Sequence, residues 1–337
     1  MGARRVAVAS VHALITTAGK VIRHNYRKMA SKIVRASHEF FVDGGGDHRS
    51  SVFLAGGGRS GTTWIAQILN FDNSYRMMFE PFYPQEVPLC RTFGSALYLR
   101  PNDLDPNRRE IAGRVLDGRL KNGWVDQYNH RWHATRRLIK DIRTNLFLRW
   151  INVHFPGMPI ILLWRHPLAT VASRMSLDWK TQANSYLSQP ALVEDHLAGV
   201  ADEYRAATDP FDQQVFRWCI EASVPLRQFA PGEIHLAFYE RFVTEPQAAV
   251  AGIFRHIGRI YDEKALSMLM KPSSQTRRHK SAIVSGGPVL DQWRDMISPE
   301  RIRRAVHILS LFGLDRIYNE ATMPDVDAAF EMLGAKK

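Results

Sequence analysis

Residues 55–64 read Ala-Gly-Gly-Gly-Arg-Ser-Gly-Thr-Thr-Trp, and no other stretch constrains the chain so tightly. Gly56, four intervening residues, Gly61 and Thr63 fit the phosphate-binding template G-x-x-x-x-G-K-[ST], but Thr62 stands where the lysine belongs. That lysine normally reaches the β- and γ-phosphates. A loop that keeps the cradle and lacks it suits a nucleotide with a phosphate to hold and no γ-phosphate to clamp. The cation stands three residues earlier, as Arg59. The flanks agree: Ser51–Ala55, with Val52, Phe53 and Leu54, predicts a buried strand. Thr63–Asn70 carries apolar residues at 64, 65, 68 and 69, one face of a helix. A strand, a glycine turn and a helix N-terminus together present bare N–H groups and a positive dipole end to an anion.

Pro159–Trp164 (Pro-Ile-Ile-Leu-Leu-Trp) is a second continuous apolar run, the pattern of a central parallel strand. It ends at Arg165-His166-Pro167, and Pro167 sits where a helix would start. Arg165 falls at the strand end and Ser173 about two turns into that helix. Arginine supplies a charge-assisted partner for a phosphate, and serine a hydroxyl donor.

The string Arg59-Ser60-Gly61-Thr62-Thr63-Trp64 resembles the 5′-phosphosulfate loop of the sulfotransferases that use 3′-phosphoadenosine 5′-phosphosulfate (PAPS). Arg165 with Ser173 resembles that family's 3′-phosphate motif. The resemblance covers roughly residues 51–320 and implies a P-loop-like α/β fold, with a parallel sheet flanked by helices in a single domain. It implies that Gly58, Arg59, Ser60, Gly61, Thr62 and Thr63 hold the 5′-phosphosulfate and that Trp64 stacks on adenine, although Trp64 also suits a core position. Family members close the 3′-phosphate site with a basic loop before a tryptophan. Here residues 273–281, with Arg277, Arg278 and Lys280, precede Trp293, but the usual Arg-Lys-Gly triplet is absent.

Sulfuryl transfer also needs a base for the acceptor hydroxyl and positive charge where the leaving oxygen develops charge. Tyr75–Phe79 predicts a strand, and Glu80-Pro81 follows at its C-terminal end, where open α/β sheets place their sites. Phe79-Glu80-Pro81 resembles the carbohydrate branch of the family, which makes Glu80 the candidate base and a carbohydrate hydroxyl the expected acceptor; a solvated loop carboxylate is the plain alternative. Leu138-Ile139-Lys140-Asp141 puts Lys140 at another strand end, beside Arg59 as charge stabiliser. The small-phenol branch carries a histidine base two residues beyond that lysine. Here the position is Ile142, which excludes it, and Asp141 competes as a base or pairs with Arg143 or Lys140. The scheme requires no metal, and its product would be 3′,5′-adenosine bisphosphate. A kinase-like phosphotransferase, or a nucleotide- or polyanion-binding protein without catalysis, stays open as the alternative.

Further segments predict helices at Leu146–His154, Leu192–Ala207, Phe211–Phe229, Gln247–Gly258 and Pro299–Phe312, and a strand at Glu233–Tyr239. Residues 88–135 look loop-like, an acceptor-binding insertion or ordinary connections, and Gly44-Gly45-Gly46 marks the one plausible hinge. The organisation expected is a basic segment at 1–48, an α/β domain at 49–322 and a tail at 323–337. The net charge of +12 suits an anionic cofactor and an acidic acceptor, and also membrane surfaces. No nucleic-acid module appears, so nucleic acid is not expected as a partner. Cys90 and Cys219 have neither redox nor metal spacing, which points to a reducing compartment. The first 38 residues hold eight Lys/Arg and no acidic residue, and Ile22, Tyr26, Met29 and Ile33 share one helical face. This predicts a cytoplasmic protein with peripheral membrane contact.

Overall fold

The computed structural model describes residues 41–94, 96–181, 183–271 and 290–333. The basic segment before Phe41 and the basic loop with Arg277, Arg278 and Lys280 lie outside the described residues.

Among the described residues seven strands form two sheets: β1 (Val42–Asp43), β2 (Ser51–Gly56), β3 (Arg76–Phe79), β4 (His133–Ala134), β5 (Arg137–Asp141), β6 (Ile160–Trp164) and β7 (His235–Phe238). The main sheet has the order β3-β5-β2-β6-β7 and every pairing is parallel. β1 pairs with β4 in a short ribbon. The helices that cover the sheet include α1 (Thr62–Leu69), α2 (Pro106–Leu116), α3 (Leu148–His154), α4 (Pro167–Met175), α5 (Pro210–Gln228), α6 (Pro246–His256), α7 (Pro299–Leu311) and α8 (Val326–Met332).

Side chains alternate across a strand, so a sheet covered on both faces is largely apolar along its strands. That is the pattern here, with buried charge confined to the strand ends at Arg76, Arg137, Lys140 and Asp141. Phe53, Ala55, Met78, Ile139, Leu162 and Phe238 face one core, with residues of α4, α5 and α7. Val52, Leu54, Met77, Leu138, Ile161 and Ala237 face the other, with α1 and α6. Because all five strands run the same way, the residues following Gly56, Phe79, Asp141, Trp164 and Phe238 gather along one edge. Every candidate site residue within the described part of the chain lies on or just after that edge.

Three expectations need correction. Residues 88–135 are not merely loops: α2 forms there, with Asp105 as N-cap accepting from Asn107 and Arg108 and Pro106 in its first turn. The helix expected over Leu192–Ala207 is broken into a π-helical turn, Val193–Leu197, and a short helix, Ala201–Ala206. Residues 326–332 form α8, whose Ala328 and Ala329 are buried in the core.

The glycine-rich stretch at 44–46 is anchored at its start, which does not suit a hinge. Asp43 takes two hydrogen bonds from Arg137, at 2.9 and 2.8 Å, and one from Arg76 at 2.9 Å. Arg76 also forks onto Asp126 at 2.7 and 2.8 Å. All of these charges are buried, and breaking such a cluster strands a charge in the interior. Asp43→Asn is therefore expected to cost about 3–5 kcal/mol in urea unfolding, against about 0.5 or less for Asp202→Asn in an exposed pair.

Candidate active site

Three segments build the site along the sheet edge. The glycine loop follows β2, and the N-cap of α1 is Gly61, whose backbone is left-handed (φ 95°) and whose lack of a side chain leaves the helix without a side-chain cap. Its open N-terminus can then serve an anion. A Cβ at Gly61 would lie 2.6 Å from the Tyr239 ring, and one at Gly58 would lie 2.5 Å from the Trp179 ring. Glycine is required at both positions so that the backbone can pass under these rings. Thr62 and Thr63 are buried in the first turn of α1, and the Ser60 hydroxyl is buried with no hydrogen-bond partner among the described residues.

The two sequence motifs meet. Arg59 Nε donates to Ser173 Oγ at 2.9 Å, and Arg165 Nη1 lies 3.4 Å from the Arg59 carbonyl oxygen. The Arg165 guanidinium covers the Tyr239 ring at 4.5 Å. Neither arginine has a carboxylate partner among the described residues. Burial, and then the neighbouring charge of Arg165, hold the Arg59 pKa below the usual arginine value. A hydroxyl that accepts from Arg59 still has its own proton to donate. This pocket of unbalanced positive charge fits a phosphate or sulfate group.

Glu80 and Lys140 come together as the second half of the site. β3 and β5 pair Phe79 with Lys140, and the Glu80 N–H donates to the Lys140 carbonyl at 2.7 Å. Lys140 Nζ reaches Glu80 Oε1 at 2.6 Å and lies 4.6 Å from the centre of the Phe79 ring. Arg143 Nη1 reaches Glu80 Oε2, also at 2.6 Å, with its guanidinium stacked 3.6 Å from the Tyr83 ring centre. Lys140 is 2% exposed and Glu80 6%, so this is no solvated loop carboxylate. Burial raises the Glu80 pKa, but Lys140 and Arg143 outweigh it and hold the carboxyl below its ordinary range. Arg59 (φ 75°) and Glu80 (φ 46°) are both left-handed without being glycine, a strain of about 1–3 kcal/mol each that collects at functional sites.

Other residues take different places from those considered in the sequence. Asp141 pairs side chain to side chain with neither Lys140 nor Arg143. Its Oδ2 accepts from the Phe82 N–H at 2.9 Å and its Oδ1 from the Arg143 N–H at 2.8 Å. It braces two turns and is fully buried, which takes it out of reach as a base. Trp64 occupies the core position: it is 4% exposed, packs against Tyr239 and Phe242, and donates from Nε1 to the Lys271 carbonyl. Trp293 stacks on His166, next to Arg165, with ring centres 4.7 Å apart. Sequence reading missed Arg143 as the second partner of Glu80, Trp179 over the loop, and Arg174 beneath it. Arg174 at least carried a signal, since it directly follows Ser173.

Burial pushes the Asp141 carboxyl up to about 6, with Arg143 lowering it and Glu80 raising it. An acid with a raised folded pKa binds its proton more tightly when folded. Its favourable contribution is therefore complete below about pH 4 and is lost as pH rises through about 6. Carboxyl-labelled NMR should show one group titrating near 6, absent in Asp141→Asn; a midpoint below 4 would contradict this burial effect.

A family model described as "Sulfotransferase family" matches residues 51–263, well over half of the chain. A search of curated protein sequences returns no match. Among solved structures, the sulfotransferase domain from the Synechococcus PCC 7002 olefin synthase is 17% identical, covering 76% of this chain and 93% of that one, with a TM-score of 0.43. The sulfotransferase domain from the curacin biosynthetic pathway is 16% identical, covering 79% and 97%, with a TM-score of 0.42. Mouse sulfotransferase SULT7A1, solved in complex with PAP, is 14% identical, covering 90% and 93%, with a TM-score of 0.40. With the match running from the first residue of β2 through the loop, Glu80, Lys140, Arg165 and Ser173, the chain belongs to the sulfotransferase family.

Proposed function

We propose that this chain moves the sulfuryl group of PAPS to an acceptor hydroxyl, with a carbohydrate as the acceptor class. The observation that carries the reading is the meeting of Arg59, Arg165 and Ser173, in which neither arginine makes an ion pair with a carboxylate among the described residues. The loop supports it independently. Glycines at 58 and 61 leave the cradle open, and a buried Ser60 hydroxyl lacks a partner.

The co-substrate supplies the sulfuryl group and departs as 3′,5′-adenosine bisphosphate; the chain supplies charge, position and a base. Arg165 and Ser173 hold the 3′-phosphate by a charge-assisted contact and a hydroxyl bond. The loop amides, Ser60, Thr62 and Thr63 hold the 5′ end. Arg59 and Lys140 keep positive charge where negative charge develops on the transferring group and the leaving oxygen. Glu80 takes the proton of the acceptor hydroxyl. Lys140 and Arg143 keep it ionised at neutral pH and so ready to accept, at the expense of some basicity. The carbohydrate class rests on the Phe79-Glu80-Pro81 string. Among the described residues no helix is long and apolar enough to cross a membrane, and membrane contact through the basic segment before residue 41 remains part of this proposal.

The experiment is transfer of labelled sulfate from PAPS to a panel of polysaccharides by the unmodified chain and by Glu80→Gln. The variant should bind 3′,5′-adenosine bisphosphate nearly as before and turn over about 10²-fold more slowly or worse. Full activity in that variant would remove Glu80 as the base. Binding of the bisphosphate by the unmodified chain with no transfer to any polysaccharide would remove the carbohydrate acceptor.

A further inference from the structure

Beneath the glycine loop lies a buried charge cluster that the chemistry above leaves without a role. Arg174 on α4, next to Ser173, is fully buried and donates from Nε to the Gly58 carbonyl oxygen at 3.0 Å. From Nη2 it donates to Glu221 Oε2 at 2.7 Å. Glu221, on α5, accepts at Oε1 from Arg217 Nε at 2.8 Å. The loop rests on this pair: a Cβ at Gly57 would come 2.9 Å from Glu221 Oε2 and 3.0 Å from Arg174 Nη2. On its other side, Gly58 meets the Trp179 ring, so the backbone is gripped from both faces.

The geometry of the peptide unit gives this contact a consequence. In a trans peptide the carbonyl and the following N–H point in opposite directions. Drawing the Gly58 carbonyl toward Arg174 therefore turns the Arg59 N–H away from the core, and Arg59 itself sits in the left-handed region (φ 75°). A residue without glycine's freedom keeps such a conformation only when its surroundings fix it. Three buried ionic groups are a poor filler compared with apolar side chains, so their presence here is better explained by what they hold than by stability.

We propose that Arg174, held in place by Glu221, is a positioning residue for the 5′ end of the cradle. It fixes the Gly58–Arg59 peptide so that the Arg59 amide faces the bound anion. This rests on the reading of the loop as the holder of a 5′-phosphate group. Arg165 and Ser173 serve the other end of the ligand, so losing Arg174 falls chiefly on the 5′-phosphate.

The test uses the full chain, its Arg174→Lys variant and its Glu221→Gln variant, each titrated with 5′-AMP, adenosine 3′-monophosphate and 3′,5′-adenosine bisphosphate. Lysine keeps a charge beside Glu221 but lacks the fork that reaches Glu221 and Gly58 together. Affinity for the two 5′-phosphate ligands should fall about tenfold in both variants, and affinity for the 3′-monophosphate should hold. Equal losses for all three ligands, or none, would overturn the inference. Hydrogen exchange without ligand gives a second reading: the Ser60 amide, which donates to the Gly57 carbonyl at 3.1 Å, should lose protection in Arg174→Lys while those of 52–55 keep theirs, and unchanged protection at Ser60 would count against it. Failure of the unmodified chain to bind any 5′-phosphate ligand would instead overturn the function proposed above.

Discussion

Two guanidinium groups, Arg59 and Arg165, stand near each other, Arg59 on the Ser173 hydroxyl, and among the described residues neither makes an ion pair with a carboxylate. Burial lowers the Arg59 pKa first, and repulsion from Arg165 lowers it further. An anion placed between them relieves that repulsion and gains charge-assisted hydrogen bonds. The rest of the architecture can be understood as the means of bringing these cations together. The parallel sheet sends β2 and β6 side by side, so the residues after Gly56 and after Trp164 must meet at one edge.

The contrast with the other buried cations makes the point sharper. Arg76 and Arg137 share Asp43, and Arg76 has Asp126 as well. Arg174 and Arg217 share Glu221. Lys140 and Arg143 share Glu80. In each cluster every cation has a carboxylate partner, as buried charge needs. The first ties β1 to β3 and β5, the second lies under the loop, and the third joins two strand ends. Among the described residues, Arg59 and Arg165 at the sequence motifs make no such ion pair.

The strands at 51–55 and 159–164 were legible because burial on both faces favours continuous apolar runs, and the one at 138–141 through its shorter Leu138-Ile139 pair. The loop and the Arg165–Ser173 pair were legible because their chemistry is local, set by spacing along a turn or a helix. α2 escaped notice because its first half, Pro106–Glu110, is polar and its buried residues crowd into 111–116, so no helical stripe shows. What sequence could not reveal depends on distant partners. Glycines at 44–46 look like a hinge until Arg137, far along the chain, clamps Asp43. Arg143 looked like a partner for Asp141 until β3 brought Glu80 across to it. Glu221 sits in a largely apolar helix, four residues from Arg217, and that misplaced pair was the one local hint of the cluster below the loop.

The central claim is that Arg165 and Ser173, beside Arg59, select a nucleotide carrying a 3′-phosphate. Calorimetric titration of the purified chain with 3′,5′-adenosine bisphosphate and with 5′-AMP, both without magnesium, tests it directly. The account predicts that the bisphosphate binds at least about tenfold more tightly, a gain of about 1.4 kcal/mol from the added phosphate. Equal affinity for the two ligands, or no binding of the bisphosphate, would contradict it.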